Sequence, residues 1–154
     1  MNDEILICFD GSEGGRRAIE AAAPLLSGRR AVVLNVGRPL TRAESLALMT
    51  PATLDWEHVN AASARKIAEQ GTMLARRVGF EAEAKGGVAS PVWKTIVAYA
   101  EEIDAALIVL GSRALTAVGE LVKDGVSHKV AEHAGRLVLV VPPPEPAHAL
   151  ANGA

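Results

Sequence analysis

The chain has 154 residues, enough for one domain with a single hydrophobic core and no need of disulfide staples. Its 16 basic and 18 acidic residues leave a formal net charge of -2, so there is no electrostatic case for nucleic acid or an anionic membrane as the main partner. Apolar residues make up 49% and aromatic residues 3%, which predicts an aliphatic core and excludes a disordered chain.

The first half of the chain predicts two strands and two helices. Ile5–Phe9 is a continuous apolar run that predicts a strand, and Ser12 is placed to cap a helix that kinks or ends at Pro24. Ala31–Val36 predicts a second strand. A long connection, residues 38–54, then leads to a helix over roughly 55–78, where apolar and small residues form one stripe.

The second half predicts three more strands and two more helices. Phe80–Lys85 alternates apolar and charged residues, which is typical of an exposed edge strand. Ser90 followed by Pro91 indicates a helix start, with the serine as cap and the proline as first helical residue. The remaining elements are a strand over Ala105–Leu110, a helix over Val126–His133 that Gly135 ends, and a strand over Leu137–Val141.

The strands and helices alternate along the chain, which is typical of an α/β protein with an open, doubly wound parallel sheet. Runs without alternation belong to strands covered on both faces, so we expect helices on either side of the sheet. Right-handed crossovers then place a ligand crevice at the carboxyl ends of the strands, where the strand order reverses. We expect one domain over residues 1–144 and a flexible Pro/Ala-rich tail over 145–154.

Cysteine usage and the N-terminal residues indicate the compartment. Cys8 is the only cysteine, so an internal disulfide is excluded, and its place in an apolar strand predicts an inert core thiol. The start Met1-Asn2-Asp3-Glu4 is acidic, unlike the basic beginning of a signal peptide, and no run of 18 apolar residues occurs. The sequence therefore predicts a cytoplasmic protein without a membrane span.

Motifs for catalysis are missing, although two strand ends carry glycine. Asp10-Gly11 and Gly111-Ser112 each follow a predicted strand, and such connections expose backbone N–H groups that bind anions or simply make tight turns. Neither a phosphate-binding P-loop nor a nucleophile elbow is present, and no base–nucleophile pair can be nominated, so we expect no enzyme. Asp124, His128 and Glu132 recur every four residues, but such faces are usually solvated, and we predict no metal site.

Three passages resemble the universal stress protein family of the UspA-like class. They are Ile7–Glu13 at the first strand, Ile108–Arg113 at the fourth, and Val126–Val130 leading into Arg136–Pro142. The resemblance covers about residues 1–144. It implies a Rossmann-like fold of the adenine-nucleotide-α-hydrolase type with five parallel strands in the order 3-2-1-4-5. It also implies cytoplasmic homodimers, often formed through the last strand, and in one branch ATP bound by the pattern Gly-x2-Gly-x9-Gly-(Ser/Thr).

That glycine pattern is damaged in this chain. Gly111 matches its first glycine, whereas Ala114 stands at the second, Asp124 at the third and Gly125 at the Ser/Thr. Asp10 matches the acidic residue that the family places near the adenosine. By resemblance, the candidate crevice consists of Asp10, Val36, Leu110, Gly111, Ala114, Gly125, Val126 and Ser127.

Asp124 is the most unfavourable change for ATP. Its carboxylate would stand where an anionic phosphate binds, and like charges a few ångströms apart cost on the order of 1–4 kcal/mol, although a bridging Mg²⁺ would reverse that sign. Asp124 also lies just before the last helix, where an aspartate can accept from the N–H groups that a phosphate would use. Two functions therefore stay open: a homodimeric interaction module with little or no ATP binding, which we favour, and a nucleotide-dependent switch.

Overall fold

The computed structural model describes residues 2–37, 56–112 and 125–143. Within these ranges strands and helices alternate as the sequence predicts. The 38–54 segment, Ala114, Asp124 and the 145–154 tail lie outside the described residues. The elements are β1 (Ile5–Cys8), α1 (Glu13–Leu26), β2 (Arg30–Gly37), α2 (Trp56–Arg77), β3 (Glu81–Val88), α3 (Val92–Glu102), β4 (Leu107–Gly111), α4 (Val126–His133) and β5 (Leu137–Val141).

The five strands form one parallel sheet in the order β3-β2-β1-β4-β5. The predicted doubly wound architecture and strand order are therefore confirmed. The alternating segment, β3, is an edge strand as predicted, and β5 is the opposite edge. The order reverses between β1 and β4, and this is the position at which open sheets of this class bind ligands.

Side chains of the central strands alternate between two hydrophobic cores, one on each face of the sheet. Ile5 and Ile7 of β1 face the core that α1 and α2 cover, whereas Leu6 faces the core that α3 and α4 cover. All three side chains are fully buried. Double coverage explains why β1 and β4 read as unbroken apolar runs, since neither face meets water.

Helix α1 does not end at Pro24, one of the two outcomes predicted there, and α3 begins one residue later than predicted. Pro24 lies inside α1, which continues to Leu26 because the proline removes a single backbone donor and Ser27 N still donates to Ala23 O at 2.9 Å. At α3, Pro91 and not Ser90 is the N-cap. Its backbone is extended (φ -77°, ψ 145°), no side chain caps the helix, and its carbonyl accepts from Lys94 N at 3.2 Å. The prediction of Ser90 as cap is therefore wrong.

Strand β3 continues through Gly86 and Gly87, beyond the predicted end at Lys85. The strand continues because it stays paired with β2 as far as Gly37 and Val88, and Gly86 is glycine because α2 packs closely on this end of β3. A Cβ atom at Gly86 would lie 2.4 Å from Arg65 N and 2.6 Å from Arg65 Cα, so only glycine fits beneath the helix. The glycine that looked like a strand terminator is a packing residue.

Candidate functional site

The candidate residues lie at the carboxyl edge of the sheet, where β1, β2 and β4 end. Asp10 follows β1, Val36 is the last but one residue of β2, and Gly111 ends β4. Val36 and the buried Leu110 pack with the core beneath α3 and α4. On α4, Gly125 is the N-cap, Val126 is 41% exposed and Ser127 is buried. Ala114 and Asp124 lie outside the described residues, so their predicted effects on a phosphate stay predictions.

Asp10 is bound into the turn that starts α1. Its Oδ1 accepts from the backbone N of Ser12 at 2.9 Å and from the Ser12 hydroxyl. Ser12 Oγ in turn accepts from Gly15 N at 3.2 Å, which confirms the predicted N-cap. Gly11 permits the turn with a φ of 81°. The Asp10 carboxylate therefore serves the start of α1, as aspartates in strand-to-helix turns often do.

Gly111 allows α1 to approach β4. A Cβ atom at this position would lie 2.5 Å from the carbonyl oxygen of Gly14 and 2.7 Å from its carbonyl carbon, both of them backbone atoms that cannot move aside alone. The glycine that matches the first position of the ATP pattern thus has a packing reason to be glycine. Its presence is consequently no argument for a phosphate site.

Asn35 joins the ends of β1 and β2, and the sequence analysis did not single it out. Its buried side chain donates from Nδ2 to the carbonyl oxygen of Phe9 at 2.8 Å. Phe9 N donates to Leu34 O at 2.9 Å, so the two strands stay paired up to the turn at Asp10. The sequence could have indicated this residue, because Asn35 is the one polar residue inside the apolar run Ala31–Val36 and a buried amide needs a hydrogen-bond partner.

The start of α4 corrects one detail of the Asp124 hypothesis. Gly125 occupies the N-cap position with extended backbone (φ -68°, ψ 150°), and no side chain caps the helix from that position. Asp124 is therefore not the N-cap residue but precedes it. Contact between its carboxylate and the first N–H groups of α4 remains a prediction.

Cys8 packs at the end of β1 against the core beneath α3 and α4. Burial, and to a smaller extent the negative charge of Asp10, raise the pKa of the Cys8 thiol to about 12. The reactive species is the thiolate, and very little of it forms near neutral pH at this pKa. We therefore expect the Cys8 thiol to be inert, as the sequence predicts.

We expect Cys8 to react with Ellman's reagent at pH 8 about a thousandfold more slowly in the folded protein than in guanidinium. The factor follows because burial raises the pKa of the thiol from its ordinary value of 9.0 to about 12 in the folded state. Since Cys8 is the only cysteine, absorbance reports this residue alone. Equal rates in the folded and the denatured protein would contradict the assignment of a buried thiol.

Within residues 2–37, 56–112 and 125–143, no three His, Cys, Asp or Glu side chains are grouped so that they could hold a metal ion. None of the helices that the structure describes is both long and apolar enough to cross a membrane.

Comparison with known proteins points to one family over nearly the whole chain. A model described as "Universal stress protein family" matches residues 1–142. The chain is 28% identical over 149 residues to universal stress protein YxiE of Bacillus subtilis (strain 168), a match covering 92% of this chain and 99% of the relative.

Two solved structures show the same fold. A universal stress protein from Archaeoglobus fulgidus superposes with a TM-score of 0.67 at 24% identity and covers 92% of this chain and 99% of its own. A universal stress protein solved in complex with cAMP gives a TM-score of 0.66 at 21% identity, covering 90% of this chain and 96% of its own.

Proposed function

The chain belongs to the universal stress protein family, and from that premise we propose that it is a non-enzymatic, homodimeric stress-response module of the cytoplasm that binds ATP weakly or not at all. The observation that carries the proposal is the Asp10 turn. The carboxylate that the family places near the adenosine accepts both donors of Ser12, and Ser12 itself caps α1. A nucleotide would therefore share this carboxylate with the turn on which the start of α1 depends.

The phosphate side of the crevice gives independent support. Asp124 adds a negative charge beside the start of α4, where the family pattern has glycine, and Ala114 adds a methyl group where the backbone should approach the phosphates. The close packing of Gly111 against Gly14 already requires a glycine at this position, without any phosphate. The remaining match to the ATP pattern is thus too small to argue for tight binding.

Replacing Asp124 with glycine and Gly125 with serine should raise the affinity for ATP by about ten- to several-hundredfold. The first change removes a like charge from the phosphate position. The second restores the hydroxyl of the family pattern at an N-cap whose extended backbone suits serine. Calorimetry on nucleotide-free protein measures the affinities.

Gly125→Ser alone is the matched control, because it keeps the Asp124 charge and should give no comparable gain. Absence of a gain in the double variant would mean that the crevice is not a degraded nucleotide site. Micromolar binding by the unaltered chain would contradict the proposal directly.

A nucleotide-dependent switch is the second candidate function. It is favoured by the structural relative solved in complex with cAMP, which shares the fold. Asp10, Val36, Gly111 and Ser127 would then line the site, and Mg²⁺ bridging Asp124 and the phosphates would offset the like-charge repulsion. Nucleotide recovered from freshly purified protein, or calorimetric binding that needs Mg²⁺, would select this function.

The homodimer is proposed to form through β5. This strand is an edge of the sheet, its first residue Leu137 is 73% exposed, and an uncovered apolar edge is best paired with its own copy. Ser112 N donates to Val141 O at 2.9 Å, so alternate residues of β5 direct their backbone groups at β4. Val138 and Val140 direct theirs at the open edge.

Val138→Pro should therefore convert the dimer to a folded monomer, because it removes an outward N–H and leaves the bonds to β4 intact. Light scattering gives the mass, and circular dichroism checks the fold. Leu139→Pro is the contrasting variant, since its N–H points at β4 and its loss should destabilise each protomer. A monomeric mass for the unaltered chain at high concentration would rule out the dimer.

A further inference from the structure

An arginine of α2 occupies the outer edge of β3, which pairs with no further strand among the residues that the structure describes. Glu81 N donates inward to Arg29 O, beside β2, at 3.0 Å. Backbone groups alternate in direction along a strand, so the even-numbered residues of β3 direct theirs outward. Arg76, in the last turn of α2, donates from Nε to Ala82 O at 2.8 Å. Its guanidinium therefore lies at the outer edge.

The charges that flank Ala84 make this edge complementary to a second copy of itself. If two copies pair antiparallel about a two-fold axis through Ala84, Glu83 of each lies opposite Lys85 of the other, and such pairs are favourable. An axis moved by one residue to either side would place like charges opposite each other. Both side chains are exposed, and the contact of Lys85 Nζ with the Tyr99 ring, 5.6 Å from its centroid, is a weak one that a carboxylate can replace.

Helix α2 leaves room for a second copy at this edge. It covers β2 as well as β3, because a Cβ atom at Gly37 would lie 3.7 Å from Ala64 Cβ and one at Gly86 would meet the backbone of Arg65. Neighbouring strands are about 4.8 Å apart, so helices that are each centred over β2 and β3 would lie about 10 Å apart across the joined edges. That is an ordinary distance between packed helices.

We propose that the outer edge of β3 is a surface for self-association and that Arg76 holds it closed. In the antiparallel pair, Gly86 N of the second copy would donate to Ala82 O, the acceptor that Arg76 occupies. Both copies must therefore release Arg76 before the strands can join. Each release gives up a hydrogen bond from a charged donor, which is stronger than a bond between neutral groups.

The surface is independent of the proposed dimer, because β5 lies at the opposite edge of the sheet. If β5 joins two protomers, pairing through β3 would link those dimers into larger assemblies. If β5 joins none, pairing through β3 would give a dimer. The mass of the wild type therefore reports on β5, and the change in mass when Arg76 is removed reports on β3.

Arg76→Ala tests whether the edge is held closed. The bonds that oppose pairing are removed from both copies, so the association constant should rise by about a hundredfold or more. Light scattering over a concentration series should then give a mass about twice that of the wild type, or more. Arg77→Ala is the control, since it removes the same charge from the same turn of α2 and should leave the mass unchanged. An unchanged mass for Arg76→Ala, or an equal rise in both variants, would overturn the proposal.

The charges of β3 test which strands join. In the Arg76→Ala background, Lys85→Glu places carboxylates opposite each other and should return the mass to the wild-type value. Adding Glu83→Lys to that variant restores opposite charges across the axis and should restore the larger mass. Circular dichroism checks that each variant is folded. Association that ignores both charge changes would show that the copies join elsewhere and would overturn the pairing of β3 with itself.

Discussion

Gly86→Ala should lower the free energy of unfolding by about 3 kcal/mol or more. The new methyl group would lie 2.4 Å from Arg65 N, 2.6 Å from Arg65 Cα and 3.0 Å from the carbonyl carbon of Ala64. All three are backbone atoms of α2, so no side chain can rotate to make room. The whole of helix α2 must therefore shift away from β3, and the packing between α2 and β3 is lost along their interface.

Gly87→Ala is the matched control. Gly87 is the next residue of the same strand, and a Cβ atom there would meet nothing within 4 Å. We expect this variant to be neutral or slightly stabilising, because alanine loses less backbone entropy on folding. Guanidinium unfolding at equal protein concentration measures both variants, since the proposed dimer would contribute to apparent stability. A difference below about 0.5 kcal/mol between them would contradict the close packing of α2 on β3.

Gly111→Ala should have the second largest effect, a loss of about 2–3 kcal/mol. Its methyl group would lie 2.5 Å from the Gly14 carbonyl oxygen and would push the first turn of α1 away from β4. The loss should appear in protein that carries no nucleotide. That result would separate the packing role of this glycine from the phosphate role that the family pattern assigns to it.

Gly14→Ala controls for the other side of the same contact. A Cβ atom at Gly14 would lie 3.7 Å from Ser112 O and from Ser12 Oγ, an ordinary contact distance. We expect no loss and up to about 1 kcal/mol of gain from the better helix propensity of alanine. The midpoint temperature of thermal unfolding should then rise for Gly14→Ala and fall for Gly111→Ala. If Gly111→Ala unfolds at the wild-type temperature, the close approach of α1 to β4 is wrong.

The sequence predicted the elements and their layers because these depend on neighbouring residues. The apolar run of β1 and the alternating one of β3 identified a doubly covered strand and an edge strand, and both assignments are confirmed. Ser12 was recognised as a cap from its place before Glu13. Ser90 was not a cap, since whether a serine or the following proline occupies the N-cap depends on the backbone conformation there.

The family, the fold and the strand order could thus be obtained from the sequence, whereas the roles of individual residues at the crevice could not. The sequence leaves open whether Asp10 is a ligand for adenosine or a turn residue, and its hydrogen bonds to Ser12 show that it takes part in the turn. Asn35 of β2 finds its partner in Phe9, and Gly111 of β4 meets Gly14 of α1, in each case a residue far away in the sequence. The spacing of apolar residues along the sequence determines on which face of a helix or strand a residue lies. Contacts between distant parts of the chain depend on how closely two backbones approach, which only the tertiary structure decides.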